Sequence, residues 1–365
     1  MKIIQITNSL GNGGAEKFMV ELSNELSKRN DVLICTVKPN EDWMIQSHRV
    51  NTSVKNNCLY WTKKYSFNNF ISLFRYVKKE KPDIVHVHAS VIAIYLLIFP
   101  LFFSKIKFYQ TIHSKKSDAY TKLFTWFNII PFLRLKWKHI CVSEAIFKDF
   151  SKSYPSLFFL TIENGVMKPQ ISNIYKDAQK EIKTYTQGNG KLLIAVGNYS
   201  DVKRYDELVL LLSEIELDFP GLSLIILGEE ASDEKLNYKK VKKLKAKNTH
   251  LLGLKSNVAD YMSLSDALII SSNLEGMPLV ILEAMALGKP IITTPAGGIV
   301  DMVKNKVNGF VSENLSKASL KASLLGYLKC PTEELKAISK NNLDKYQKQY
   351  SMDICAKNYL KLYKN

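Results

Sequence analysis

The sequence predicts an α/β protein of two doubly wound parallel-sheet domains, and three observations lead there. The first is length: 365 residues exceed one ordinary core and suit two domains of about 150 residues each, with a tail. The second is rhythm. Short Val/Ile/Leu runs alternate with helix-period segments through both halves, and strands buried on both faces read as continuous apolar runs. The third is composition, 46% hydrophobic and 23% charged, which suits a packed chain and excludes disorder or low complexity as the main theme.

In chain order, the first half places strands at Ile3–Thr7, Val32–Val37, Ile84–His88, Phe108–Ile112 and His139–Val142. Ala15–Arg29 carries Phe18, Val20, Leu22 and Leu26 at roughly helical spacing. Val91–Phe103 is the longest apolar stretch, but Pro100 interrupts it and it falls short of the roughly 20 residues a spanning helix needs. It is read as a buried helix. Residues 169–190 are polar, contain Gly188 and Gly190 and lack a long apolar run, so they are read as a linker between a domain of 1–168 and one of 191–345. The second half places strands at Leu192–Val196, Ser223–Leu227, His250–Leu252, Ala267–Ser271, Pro290–Thr293 and Gly309–Val311, with 346–365 as a tail. Two such domains facing each other would form a cleft at the carboxyl ends of their strands, where open α/β sheets bind ligands.

Five scattered cysteines, Cys35, Cys58, Cys141, Cys330 and Cys355, include no C-x-x-C pair. They read as reduced thiols of a cytoplasmic protein and offer no zinc or disulfide framework. Met1–Thr7 is strand-like and shows no basic-then-apolar leader, so secretion is not expected.

The net charge of +17 is uneven. Tyr60–Lys138 holds 14 Lys/Arg against 3 Asp/Glu, interleaved with aromatics such as Phe67, Phe70, Trp126 and Trp137. Three readings compete: a solvated basic face, an anionic membrane surface, and nucleic acid. The membrane surface is the partner expected and nucleic acid is not, with Lys105, Lys107, Lys115, Lys116, Lys136 and Lys138 as contact residues.

Two motifs carry chemistry. Gly11-Asn12-Gly13-Gly14-Ala15-Glu16 follows the first strand and opens a helix, where glycines let backbone approach a phosphate at the positive helix end. Glu16 stands where a dinucleotide fingerprint needs glycine, so a nicotinamide reading fails. In the second half, Ser272 to Met285 runs from a strand end through a loop containing Glu275, Gly276 and Met277 to Pro278, Leu279 and a helix bearing Glu283. First-turn amides there can hold a diphosphate, Glu283 can accept from ribose hydroxyls, and Glu275 can accept from sugar hydroxyls. No Asp-x-Asp occurs to hold a divalent ion through a diphosphate.

With these motifs the chain resembles the retaining nucleotide-sugar glycosyltransferases of family four, group 1, which have the GT-B fold of two Rossmann-like domains. The resemblance also rests on Thr111-Ile112-His113, Val142-Ser143-Glu144, Asn164-Gly165-Val166, Gly288-Lys289-Pro290, Ala296-Gly297-Gly298 and Asn308-Gly309-Phe310. It implies that Gly13 and Gly14 approach the donor, that Glu16 lies on the acceptor side and that His113 lies beside the reacting anomeric centre. Lys203 falls where the family binds the diphosphate. Asn198 replaces the family's usual arginine, with Arg204 as a candidate substitute, and Leu254–Asn257 matches the base-contacting loop. Residues 346–365 resemble the last helix, which crosses back to the first domain, and Tyr350, Ile354, Tyr359 and Leu362 are its apolar positions.

The implied function is transfer of a sugar from a nucleoside-diphosphate sugar, with UDP expected, to a glycan on a polyprenyl diphosphate lipid. The enzyme would be cytoplasmic, peripheral on the membrane, free of cofactor and independent of metal. His86 and His88 are read as structural. Two other classes stay open: a nucleotide-sugar epimerase of the same fold, and a non-catalytic membrane-binding module.

Overall fold

The computed structural model describes residues 1–41, 44–63, 66–96, 98–113, 137–152, 159–186, 190–229, 235–244 and 246–364. It comprises two units, Met1–Met167 with Tyr350–Asn365, and Lys168–Gln349.

In the first unit, strands β1 (Lys2–Thr7), β2 (Asp31–Thr36), β3 (Lys55–Cys58), β4 (Ile84–Val87), β5 (Lys107–Ile112), β6 (Trp137–Cys141) and β7 (Phe159–Thr161) form one parallel sheet, ordered β3-β2-β1-β4-β5-β6-β7. Strand alternation gives it two different faces. Ile4, Ile6, Val85, Val87 and Phe108 join Leu73, Val77, Leu96 and Phe99 in an apolar core. Gln5, His86, Tyr109 and Thr111 are buried on the opposite face.

The C-terminal helix Met352–Lys364 is fastened to that polar face by hydrogen bonds as well as packing. His86 Nδ1 lies 2.6 Å from Tyr363 Oη, Thr111 Oγ1 lies 3.2 Å from Tyr359 Oη, and Tyr109 donates to the Leu362 carbonyl at 3.2 Å. The chain enters this helix through a clasp, Val166 N to Tyr350 O and Met352 N to Val166 O, each 3.0 Å. Gly165 makes it possible, since a Cβ there would stand 2.6 Å from Cys355 Cβ. The buried positions of the helix are Met352, Cys355, Ala356, Tyr359 and Tyr363. The expected face therefore shifts: Ile354 and Leu362 are only half-buried.

In the second unit, β8 (Leu192–Val196), β9 (Ser223–Leu227), β10 (Thr249–Gly253), β11 (Ala267–Ile270), β12 (Ile291–Thr293) and β13 (Phe310–Val311) form a parallel sheet ordered β10-β9-β8-β11-β12-β13. Its core joins Leu193, Leu208, Leu212, Leu224, Ile226, Ile269 and Ile292. Lys289 has a structural job here: its Nζ donates to the Ser263 and Ser265 carbonyls, each at 2.7 Å, and joins the turn after the Leu279–Ala286 helix to the end of the Val258–Leu264 helix.

Several expectations are corrected. β3 and β7 were not foreseen, because β3 is a polar edge strand, Lys-Asn-Asn-Cys, and β7 spans only three residues. The stretch expected as a linker carries the helix Tyr175–Lys183 within the second unit, where Glu181 pairs with Lys255 at 3.1 Å. Its two buried residues, Ala178 and Ile182, are too few for a long apolar run. Gly188 lies outside the described residues. Val91–Phe103 divides into the helices Ser90–Leu96 and Phe99–Phe102, and Leu101 and Phe102 are 67% and 59% exposed, so only part of it is buried. Among the described residues no helix is long and apolar enough to cross a membrane.

Candidate active site

In open α/β sheets, ligands bind beyond the carboxyl ends of strands where the strand order reverses, here β1/β4 and β8/β11. In the second unit two of the predicted site residues, Lys203 and Glu275, meet there. Lys203 follows β8 and Glu275 follows β11, and Lys203 Nζ donates to Glu275 Oε1 at 2.7 Å. Ser272 Oγ donates to the same oxygen at 2.7 Å. Two hydrogen bonds hold both loops: Asn273 N donates to Val202 O at 3.0 Å, and the Ser271 side-chain Oγ to the Lys203 carbonyl at 2.6 Å. The Ala296-Gly297-Gly298 loop closes over the second side. Gly298 N donates to the Glu275 carbonyl at 3.2 Å, and a Cβ on Gly297, which has φ +58°, would come within 2.0 Å of that oxygen. Only glycine fits this approach.

Pro278 caps the buried Leu279–Ala286 helix, and the first-turn amides of a helix lack intrahelical acceptors. Gly276 is half-buried in the loop before it, while Met277, Leu279 and Glu283 are buried. Gly197, φ +145°, lets the loop after β8 pass the Lys203 side chain, to which a Cβ would come within 2.9 Å. Asn198 is exposed on that loop. Arg204 does not extend the cation cluster, because its guanidinium is held by Glu207 and the Leu315 carbonyl. Leu254 is half-exposed after β10, and the next residue, Lys255, is anchored by Glu181.

In the first unit, Gly13 precedes the helix Gly14–Ser27, and Glu16 folds back so closely that a Cβ on Gly13 would stand 2.4 Å from Glu16 Oε2. Burial pushes the Glu16 carboxyl above its ordinary range, although a bond from its own amide opposes this. His113 follows β5, with the edge of Phe18 on its ring at 5.7 Å between centroids. Burial lowers His113 to about 4 and His86 to about 3, and holds His88 well below its ordinary value, so all three imidazoles are neutral near pH 7. His86 uses both ring nitrogens structurally, on Tyr363 and Thr111. His88 does something else: it contacts His113 directly, 3.2 Å from Nδ1 to Nε2. The alternation of His86 and His88 was visible in the sequence, but this contact arises only because β4 and β5 are neighbours in the sheet.

The basic, aromatic span of the first unit is described in part. Lys115, Lys116, Lys136 and Trp126 lie outside the described residues. Lys107 is not a surface contact, since its Nζ donates to the carbonyls of Tyr363 and Lys364 at the end of the last helix. Lys105 and Lys138 are exposed.

Two family models match the chain, Glycosyltransferase Family 4 over residues 12–166 and Glycosyl transferases group 1 over residues 177–345. An uncharacterized glycosyltransferase of Methanocaldococcus jannaschii is 29% identical over 62% of this chain and 59% of its own length. The Escherichia coli UDP-Gal:alpha-D-GlcNAc-diphosphoundecaprenol alpha-1,3-galactosyltransferase is 30% identical over 67% of this chain and 66% of its own length. The chain thus matches less than two thirds of either relative. Among solved structures, Anabaena HepE in complex with UDP and glucose superposes with a TM-score of 0.82 at 18% identity, covering 100% of both chains. With one model on each sheet domain and the same two-domain architecture in its structural neighbours, the chain belongs to the group 1 glycosyltransferases and has the GT-B fold.

Proposed function

We propose that the protein is a retaining glycosyltransferase that moves a sugar from a UDP-sugar to a hydroxyl of a glycan carried on a polyprenyl diphosphate, in surface polysaccharide synthesis. The observation that carries this reading is the Lys203–Glu275 pair at the β8/β11 switch point, beside the first turn of the Leu279–Ala286 helix. In the reaction the bond from the anomeric carbon to the diphosphate oxygen breaks, and the acceptor oxygen bonds to that carbon from the same face. The acceptor proton passes to the leaving phosphate oxygen. No second carboxylate is needed as a covalent nucleophile. Lys203 and the helix amides stabilise the charge that develops on the departing diphosphate. An ammonium has three donors and the pair with Glu275 uses one, so Lys203 can hold a phosphate while Glu275 orients it. Glu275 also accepts from sugar hydroxyls, Glu283 from the ribose, and the Leu254 loop meets the base. On the first unit, Gly13 and Gly14 approach the donor, His113 the reacting sugar, and Glu16 the acceptor.

The donor reading is supported by HepE, solved with UDP and glucose, and the acceptor reading by the E. coli relative named for a diphosphoundecaprenol-linked sugar. The chain lacks Asp-x-Asp, and Lys203 supplies positive charge at the diphosphate, which together support transfer without metal or other cofactor. Peripheral attachment to the cytoplasmic face of an anionic membrane is supported by Phe67, Leu101 and Phe102, which are 75%, 67% and 59% exposed and lie in one span with exposed Arg75, Lys78, Lys79 and Lys105. Each basic group near an anionic surface contributes roughly 1 kcal/mol.

Sedimentation with vesicles of rising phosphatidylglycerol content tests the attachment. Binding should rise with anionic lipid, fall with salt, and drop when Phe67, Leu101 and Phe102 are changed to serine. Absence of binding at every composition would return this face to ordinary solvated surface and favour a soluble acceptor.

A further inference from the structure

Behind His113 a short buried chain of side chains runs to the middle of the sheet. His113 follows β5, His88 follows the neighbouring β4, and Gln5 lies in β1 on the other side of β4. His88 Nδ1 is 3.2 Å from His113 Nε2, and His88 Nε2 is 2.8 Å from Gln5 Oε1. Gln5 is fully buried and His88 is 8% exposed. These contacts define where the protons sit. An amide oxygen only accepts, so His88 donates to Gln5 from Nε2. A neutral imidazole has a single N–H, which leaves His88 Nδ1 as an acceptor. His113 then donates from Nε2, and its Nδ1 carries a lone pair. Phe18 lies beside both rings, with centroids 5.7 Å from His113 and 6.1 Å from His88.

We propose that Gln5 and His88 are positioning residues that hold His113 as the Nε2–H tautomer, so that it meets the reacting sugar as a hydrogen-bond acceptor. The consequence is selective. An acceptor nitrogen accepts a hydrogen bond from a sugar hydroxyl without removing its proton, and it donates none to the leaving phosphate, which keeps that phosphate available for the acceptor's proton. Buried polar partners that fix a histidine's orientation and tautomer are a recurring device where a ring must act with one defined nitrogen. The proposal rests on the placement of His113 at the sugar, and its test separates the two.

Ring ¹⁵N shifts of histidine-labelled full-length protein, with the His113 signals assigned by difference against His113→Ala, read the tautomer directly. The wild type should show a protonated Nε2 and an unprotonated Nδ1. In Gln5→Leu the His113 signals should move toward a tautomer mixture, with kcat down about tenfold, the effect of one hydrogen bond made in the transition state, and donor KM little changed. Should Gln5→Leu fail to fold, the wild-type spectrum still decides. A wild-type His113 protonated on Nδ1, or an unchanged tautomer and kcat in folded Gln5→Leu, overturns the proposal. A fully active His113→Ala with the expected wild-type tautomer overturns instead the placement of His113 at the sugar.

Discussion

Lys203 and Glu275, 72 residues apart in sequence, meet at 2.7 Å through loops that leave neighbouring strands. Glu275 Oε1 accepts from both the ammonium and Ser272 Oγ, so the carboxylate and the cation each fix the other's direction. The side chains are 20% and 13% exposed, which places the pair at the edge of bulk solvent, where a ligand phosphate can still reach the ammonium.

Lys203→Ala should lower kcat by about a hundredfold, because one charge-assisted contact to a developing anion is worth on the order of 3 kcal/mol. Glu275→Ala made in the Lys203→Ala background should cost far less than it does alone, since the two act as a unit. Steady-state kinetics of the four-member cycle checks this; additive effects would separate the two residues.

The two glutamates should part company. Glu283→Gln should raise the donor's dissociation constant through the ribose and leave turnover at saturation nearly intact. Glu275→Gln should lower turnover more than donor affinity. Isothermal titration with the donor nucleotide, set beside kcat, distinguishes them, and equal small effects on both quantities would remove the site assignment.

Gly297→Ala should damage the same site without touching a charged group. The residue sits at φ +58°, and its added Cβ would collide with the Glu275 carbonyl. The strain alone costs roughly 1–2 kcal/mol, and relief requires the Glu275 loop to move. A lower Tm together with a kcat loss resembling that of Glu275→Gln is expected. Unchanged kcat in a folded variant would mean that the position of the Glu275 loop does not control turnover.

Much of this was legible in the sequence. The buried strands were visible because parallel strands covered on both faces must be apolar throughout, and the Glu275-to-Glu283 junction was visible because strand, loop, Pro278 and helix each leave a local mark. Less visible were features whose cause is tertiary. β3 earns its place by pairing with β2, with nothing apolar in Lys55–Cys58 to announce it. The last helix buries Tyr359 and Tyr363 against His86 and Thr111, so polar partners set its face where hydrophobic spacing suggested Leu362. Arg204 looked like a spare cation until Glu207, one helical turn on, claimed it. The contact of His88 with His113 depends on which strands become neighbours, which one-dimensional spacing does not state.

Acid should destabilise the fold before the carboxylates titrate. Burial lowers His113 to about 4 and both His86 and His139 to about 3, whereas in the unfolded chain each titrates near 6.5. Below that pH the unfolded state binds more protons, so stability is full above about 6.5 and falls as the pH drops toward the folded values. The slope per such histidine is on the order of 1 kcal/mol per pH unit. Urea unfolding at pH 7.5 and pH 5 should show the loss, and His139→Phe should reduce it. A pH-independent unfolding free energy across this window would contradict neutral burial of these rings.

The central claim is tested most directly by following a UDP-sugar with purified enzyme, with and without a polyprenyl diphosphate-linked acceptor and in the presence of excess chelator. NMR of the product reads its anomeric configuration. The account predicts acceptor-dependent release of UDP, a product with the donor's anomeric configuration, and most of the activity surviving chelation. Inversion at the anomeric carbon, an epimerised sugar nucleotide formed without acceptor, or activity abolished by chelator and restored by magnesium would contradict it.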